Sequence, residues 1–427
     1  MWSSKLTRIQ QQKSCTKVCS ASEKNITIVM INSVSNRLMA LSESETLVMS
    51  QKSAELKAQG VDVINLSVGE PDFPTPNHIK EAAKAAIDNN FTFYTPAAGT
   101  LDLRKAVCQK LQRENGLTYK PSQIVCSNGA KQSLCNAILA LVNAGDEVIV
   151  PAPYWVSYPE MVKLAEGMPV IVSAGIEQDF KLSAQQLESA ITEKTKAVII
   201  CSPSNPTGSV YSRDELKELA DVLAKHKQVY VISDEIYEHI NYVGKHESIA
   251  QFEELAERMI IVNGVSKCYS MTGWRSGWMA APEWVAKACT KLQGQYTSGP
   301  GSISQKAAQA AYEGSQDEVE TMRQAFDRRK KLTFGLLQEI DGLEVNDPQG
   351  AFYLFPKCSS YYGKAYNGRV VKDSSDLAIY LLEEAHVACV AGDAFGAPDN
   401  IRLSYATSDE NLVEAVKRIK EALEKLQ

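Results

Sequence analysis

The sequence predicts an α/β protein whose mostly parallel sheet is covered by helices. Two observations carry this expectation. Apolar, β-branched runs of four to six residues recur between longer helical stretches, and they lack the apolar–polar alternation of a half-solvated strand. The chain has 427 residues, too many for one small core, so it reads as two domains or as one large domain with appendages.

The elements follow in order. The run 124–128 (IVCSN) is a strand leading into a helix through AKQSLCNAILALV, and 146–153 (DEVIVPAP) is a strand before the helix of YPEMVKLAEG. The strand at 196–203 (KAVIICSP) precedes a helix in SRDELKELADVLAKH. There Ser212 and Glu215 have capping-box spacing, and Leu216, Leu219 and Leu223 share a face. The runs 229–235 (VYVISDE) and 259–265 (MIIVNGV) complete this set. From about residue 315, long helices mix with short strands in LEVND, GAFYLFP and IRLSYA. The last helix shows capping-box spacing at Thr407 and Glu410. Its stripe of Leu412, Val416, Ile419, Leu423 and Leu426 is expected to pack on its own domain rather than on a partner helix.

Composition removes several function classes. With 44% apolar and 22% charged residues the chain is not a disordered one. Its 45 basic and 51 acidic residues leave a net charge of −6, which argues against a chain-wide grip on nucleic acid. No apolar run approaches the roughly 18–20 residues that span a bilayer. The ten cysteines are scattered without a CxxC pair, and Cys201 and Cys389 sit in apolar runs, which favours a reducing compartment. The five histidines form no HExxH or close pair, so no catalytic metal site is expected. Residues 1–29 carry Lys5, Arg8, Lys13, Lys17 and Lys24 against Glu23 alone, and no secretory apolar core follows. They read as a transit peptide for a mitochondrion or plastid, or as a leader before a start at Met30 in a cytoplasmic protein.

Six segments carry chemistry. In 266–277 (SKCYSMTGWRSG), Lys267 follows a strand directly, at the edge where open α/β sheets place ligands. It is either a Schiff-base lysine or a solvated surface charge, and Arg275, eight residues on, can grip a phosphate. In 233–239 (SDEIYEH), Asp234 ends a buried strand. Its carboxylate needs a cation such as a protonated pyridine nitrogen, unless it serves as a helix cap. Tyr237, one turn on, can hydrogen-bond a phenolate oxygen on the same ring. In 202–208 (SPSNPTG) a rigid turn presents Asn205, as a ligand group or as a plain turn residue. In 127–132 (SNGAKQ) Gly129 opens a helix whose backbone N–H groups suit an anion, although the segment is neither a Walker A loop nor GxGxxG. Trp155, in PAPYWVSY, can stack on a flat ring or fill a core. Arg402, in IRLSYATS, can clamp a carboxylate or sit in a surface salt bridge.

Together VSKCYSMTGWRSG, SPSNPTG, SDEIYEH and NLSVGEPDFPTP resemble the motifs of the class I/II, fold type I aminotransferases that use pyridoxal 5'-phosphate, and they occur in that family's order. The resemblance runs from about residue 35 to the end. It is greatest to the prokaryotic-type aspartate aminotransferases, a branch that includes prephenate aminotransferases. It implies a large cofactor-binding domain at 76–314 with a mainly parallel seven-stranded sheet. A smaller α+β domain, 30–75 plus 315–427, would hinge over the substrate.

It also implies a role for each residue. Lys267 would hold the cofactor covalently and later move the substrate proton, with Asp234 on the pyridine nitrogen and Tyr237 and Asn205 on the ring oxygen. Trp155 would stack on the ring. Arg275 would pair with the phosphate, helped by the N–H groups around Gly129, Ala130 and Lys131. Gly264 stands where the family has a phosphate-binding serine, and Ser266 would compensate. Tyr94 would reach the phosphate from a second subunit, implying a homodimer with shared sites. Arg402 and the Gly69 backbone would hold the substrate α-carboxylate, beside Trp155 and Asn205. The segment 296–302 (YTSGPGS) offers no arginine for a distal carboxylate, so Lys131, Thr46 and Ser298 would take that role.

The implied reaction is ping-pong transfer of an amino group between L-aspartate and 2-oxoglutarate, with prephenate as an alternative or additional acceptor. A carbon–sulfur lyase on the same fold and a non-catalytic regulator are the competing readings. The second is disfavoured by the presence of Lys267, Asp234 and Arg402 together. Partners would be small amino acids and 2-oxo acids.

Overall fold

A computed structural model describes residues 34–43 and 45–427. The leader at 1–29 lies outside them. The chain divides into two compact units, Met1–Ser42 and Glu43–Gln427. In the first, the described residues hold a short helix at Asn36–Met39. All that follows concerns the second.

Seven strands make its central sheet: β1 (Ile124–Ser127), β2 (Glu147–Ala152), β3 (Met168–Ser173), β4 (Thr195–Cys201), β5 (Tyr230–Asp234), β6 (Met259–Gly264) and β7 (Gly277–Ala280). Their spatial order is β1-β7-β6-β5-β4-β2-β3. Neighbours run parallel except at β7, which is antiparallel to both β1 and β6. Sequence reading finds five of these strands. It passes over β3, an edge strand with an internal proline and half-exposed residues, and β7, a four-residue run that opens on glycine. Residues of β4 alternate between two cores, Ala197 and Ile199 on one face and Val198 and Ile200 on the other. Cover on both faces is why the run carries no polar alternation.

Helix caps follow local chemistry. The helix Arg213–Lys225 opens on a full capping box, Ser212 accepting from the Glu215 N–H and Glu215 accepting from the Ser212 N–H. The final helix, Asp409–Leu423, corrects its expected register by one residue. Ser408 is the cap and accepts from the Asn411 N–H, while Thr407 accepts from the Asn411 side chain at 3.0 Å. Its apolar stripe is buried in its own unit as expected. LEVND forms no strand, only an isolated bridge between Glu344 and Lys357. A second sheet holds β8 (Tyr353–Leu354), β9 (Val390–Ala391) and β10 (Ile401–Ser404) in the antiparallel order β9-β10-β8. No helix among the described residues is long and apolar enough to cross a membrane.

The sheet's topology gathers chemistry at one edge. Strands β1, β2, β4, β5 and β6 end there, and the reversed β7 begins there. Cys201 pairs with Asp234, Asp234 with Val262, and Gly277 with both Ser127 and Gly264. Crossing strands leave loops free at such an edge, the usual place for a ligand in an open α/β sheet. The seam is tight: a Cβ on Gly264 would lie 2.8 Å from the Gly277 Cα, and a Cβ on Gly277 would strike the Ala130 backbone nitrogen. A serine at 264 would require this seam to shift.

Candidate active site

A cavity of about 290 Å³ opens at this edge. It is lined by Lys267, Asp234, Tyr237, Asn205, Trp155, Arg275, Ala130, Lys131, Ser266, Gly69, Thr46 and Arg402. All were singled out from the sequence, and they come from segments spread across more than 350 positions. Gly129 adjoins the cavity through Arg275. Tyr94 is fully exposed, Ser298 is also exposed, and neither lines the cavity.

Lys267 lies three residues past β6. Its Nζ donates to the Gly69 carbonyl at 2.6 Å. Burial chiefly lowers its pKa to about 8, with Arg402 and Arg275 adding to the drop and Glu70 opposing it. The side chain is half-buried and lines the cavity rather than standing on the open surface. Asp234 closes β5 and is 4% exposed. Its Oδ2 accepts from the Tyr158 hydroxyl at 2.7 Å and its Oδ1 from the Ile236 N–H at 3.2 Å. Burial raises its pKa to about 6 against the pull of those donors.

At one end of the cavity Gly129, with φ of +84°, precedes a helix at Ala130–Leu141 that no side chain caps. Its first N–H groups and dipole suit an anion. Arg275 donates to the carbonyls of Thr272 and Asn128, at 2.9 and 3.2 Å. A Cβ on Gly129 would sit 2.5 Å from the Arg275 Nη2, so glycine permits this approach. Lys131 holds its Nζ 4.8 Å above the Trp155 ring, and burial and Arg275 lower its pKa.

At the other end Arg402, on β10, is 2% exposed. It donates to Asn205 Oδ1 at 2.9 Å and to the Ser67 carbonyl at 2.6 Å, and its guanidinium lies 4.6 Å from the Tyr353 ring centre. Its Nε is buried without a hydrogen-bond partner. Among the described residues no carboxylate pairs with it, so this is no surface salt bridge. The Tyr237 hydroxyl meets the Tyr353 hydroxyl at 2.7 Å, and a side chain on Gly69 would strike that same Tyr353 hydroxyl.

Sequence reasoning misses Tyr158, Tyr353 and Cys201 in this lining. Tyr158 stood in the quoted run PAPYWVSY, one turn past Trp155, which was the available signal. Tyr353 lay hidden in the aromatic run GAFYLFP. Folding also brings together Glu114, Glu238 and His239, and Glu235, Glu238 and His246, closely enough to hold a metal ion. Sequence spacing showed no such convergence. There the buried Lys110 pairs with Glu238 and Glu114, so the cluster carries its own cation, and none of these side chains lines the cavity.

A sheet edge presenting a half-buried lysine, a buried carboxylate, an anion cradle and an arginine with no carboxylate against it defines the class: the chain belongs to the class I and II aminotransferases, whose family model matches residues 61–419. It is an aminotransferase enzyme. It is 49% identical over 397 residues to the bifunctional aspartate aminotransferase and glutamate/aspartate-prephenate aminotransferase of Petunia hybrida, covering 92% of this chain and 83% of that one. Among solved structures it resembles the aspartate aminotransferase of Rhizobium meliloti, with a TM-score of 0.89 and 44% identity over 92% of this chain and 99% of that one. The Thermus thermophilus aspartate aminotransferase, solved with maleate, gives 0.86 and 42% over 91% and 99%.

Proposed function

We propose that this protein transfers amino groups between L-aspartate and 2-oxoglutarate with pyridoxal 5'-phosphate. The observation that carries the substrate class is Arg402, a buried guanidinium with no protein carboxylate against it. Burying a cation unpaired is costly, and a substrate α-carboxylate supplies the missing partner. The donor set fits the cofactor. A lysine amine with a lowered pKa, a buried carboxylate, an indole face and an uncapped helix end surround one cavity, and Gly129 leaves the space that Arg275 fills beside it.

When bound, pyridoxal phosphate supplies an electron sink for the carbanion formed as the substrate loses its α-proton. Lys267 would hold the cofactor aldehyde through its amine and would carry the substrate proton as base and then acid. Asp234 would pair with the ring nitrogen, Tyr237 and Asn205 would serve the ring oxygen, and Trp155 would stack on the ring. Arg275, with the N–H groups around Gly129, Ala130 and Lys131 and the Ser266 hydroxyl, would hold the phosphate. Arg402 grips the α-carboxylate beside Gly69. Lys131 and Thr46 would serve the distal carboxylate, whereas Ser298 lies outside this cavity's lining. Tyr94 acts from the second subunit of a homodimer. Of the expected smaller domain, the described stretches 45–75 and 315–427 would close over 76–314 and exclude water.

Prephenate is a second acceptor. The distal end relies on Lys131, a point charge without arginine's fork, and the exposed Leu47 adds an apolar rim, so bulkier dicarboxylates fit. The Petunia relative's name supports this reading. The test is a donor panel of aspartate, glutamate, alanine, phenylalanine and arogenate against 2-oxoglutarate, oxaloacetate and prephenate. Aspartate with 2-oxoglutarate should lead. Pyruvate released without transfer would instead indicate a lyase.

A further inference from the structure

Tyr158 has no part in the roles above, yet it touches the carboxylate on which they depend. It lies in the first turn of a helix at Ser157–Leu164, is 3% exposed, and meets Trp155 edge-on with ring centres 5.4 Å apart. Its hydroxyl donates to Asp234 Oδ2 at 2.7 Å, the shorter of that carboxylate's two hydrogen bonds. Rotation of a carboxylate about its last bond is soft, so these donors set its plane. Each oxygen accepts one donor and keeps further lone-pair capacity.

We propose that Tyr158 is a positioning residue that keeps the Asp234 carboxylate ionised and turned to receive a cationic ring nitrogen; this rests on the pyridoxal phosphate reading above. The groups facing Asp234 are few. Glu235 beside it disfavours its negative charge, whereas Tyr158, the Ile236 N–H and Lys267 favour it, and the Cys201 thiol on β4 is held neutral by burial. Burial already holds Asp234 at about 6, so losing one donor leaves the cofactor-free carboxyl partly protonated near neutral pH. A protonated carboxyl attracts no cation.

Tyr158→Phe removes the hydroxyl and keeps the ring. Cofactor-free protein is titrated with pyridoxal phosphate across neutral pH, following the visible absorption of bound cofactor, and thermal midpoints are recorded in parallel. The variant is expected to bind about 10- to 100-fold more weakly at neutral pH, the scale of a lost hydrogen bond to a charged group. The acid-side fall in affinity should move to higher pH. In an Asp234→Asn background the same replacement should have no further effect. Unchanged affinity and midpoint, or an equal loss in that background, overturns the role of Tyr158. Failure of the unaltered protein to take up pyridoxal phosphate overturns the cofactor reading itself.

Discussion

Arg402→Lys keeps a positive charge at position 402 and removes the fork. In the structure two guanidinium nitrogens already serve Asn205 and the Ser67 carbonyl, and the flat group lies against Tyr353. An ammonium radiates three donors from one point and cannot serve both partners and a carboxylate edge. A two-pronged grip on an α-carboxylate comprises two charge-assisted hydrogen bonds of ~1.5–3 kcal/mol each, and lysine retains one. Asn205 also loses its partner, which costs about 1 kcal/mol. The sum, ~2.5–4 kcal/mol, corresponds to a fall in kcat/KM for aspartate of about 10²- to 10³-fold. The assay is steady-state transamination of aspartate, beside an amine that lacks an α-carboxylate. A fall below about fivefold with aspartate, or an equal fall with the plain amine, would refute the clamp. Arg402→Met sharpens the point: by removing an unpaired buried charge it should raise the thermal midpoint while abolishing turnover.

Three further outcomes follow from the geometry. Lys267 falls from 10.5 to about 8 on burial, so the unfolded chain holds its proton more tightly and folding bears the full penalty below pH 8, which fades as pH rises to 10.5. Cofactor-free Lys267→Met should therefore exceed the unaltered protein in stability at neutral pH, with the gap closing in alkali; denaturant melts at several pH values would show it, and a constant gap would contradict it. Lys131→Gln should lower kcat/KM for aspartate about tenfold or more and leave alanine nearly unchanged, and equal losses would remove it as the distal anchor. Gly129→Ala places a methyl 2.5 Å from Arg275 at a φ of +84°. The backbone alone costs ~1–2 kcal/mol, so about tenfold weaker cofactor binding is expected by equilibrium titration, and unchanged binding would dismiss the phosphate cradle.

How much was legible depended on the scale of the signal. Strands buried on both faces announce themselves as unbroken β-branched runs, so β1, β2, β4, β5 and β6 were readable, whereas β3 at the edge and the short β7 were not. Lys267, Asp234 and Asn205 were readable because chemistry-bearing residues at strand ends stand out against apolar neighbours. Tyr158 and Tyr353 were not, because a tyrosine inside an aromatic run looks like core until its hydroxyl partner is known, and those partners lie 76 and 116 residues away. The grouping of Glu114, Glu235, Glu238, His239 and His246 likewise exists only after folding. The one-residue shift of the last cap, from Thr407 to Ser408, arose because both are hydroxyl residues and both interact with Asn411.

The glycine seam where β6, β7 and the Ala130 helix meet has an evolutionary corollary. That end of the cavity is shaped by main chain packed on main chain, which point substitution can hardly adjust: adding one carbon at Gly264, Gly277 or Gly129 collides with its surroundings. The remaining lining is built from side chains such as those of Thr46 and Leu47, which can be exchanged without moving the scaffold. Preference for one amino acid over another can thus drift while the grip on a shared anionic handle stays fixed, so new specificities would arise at one pole of the cavity and leave the other untouched.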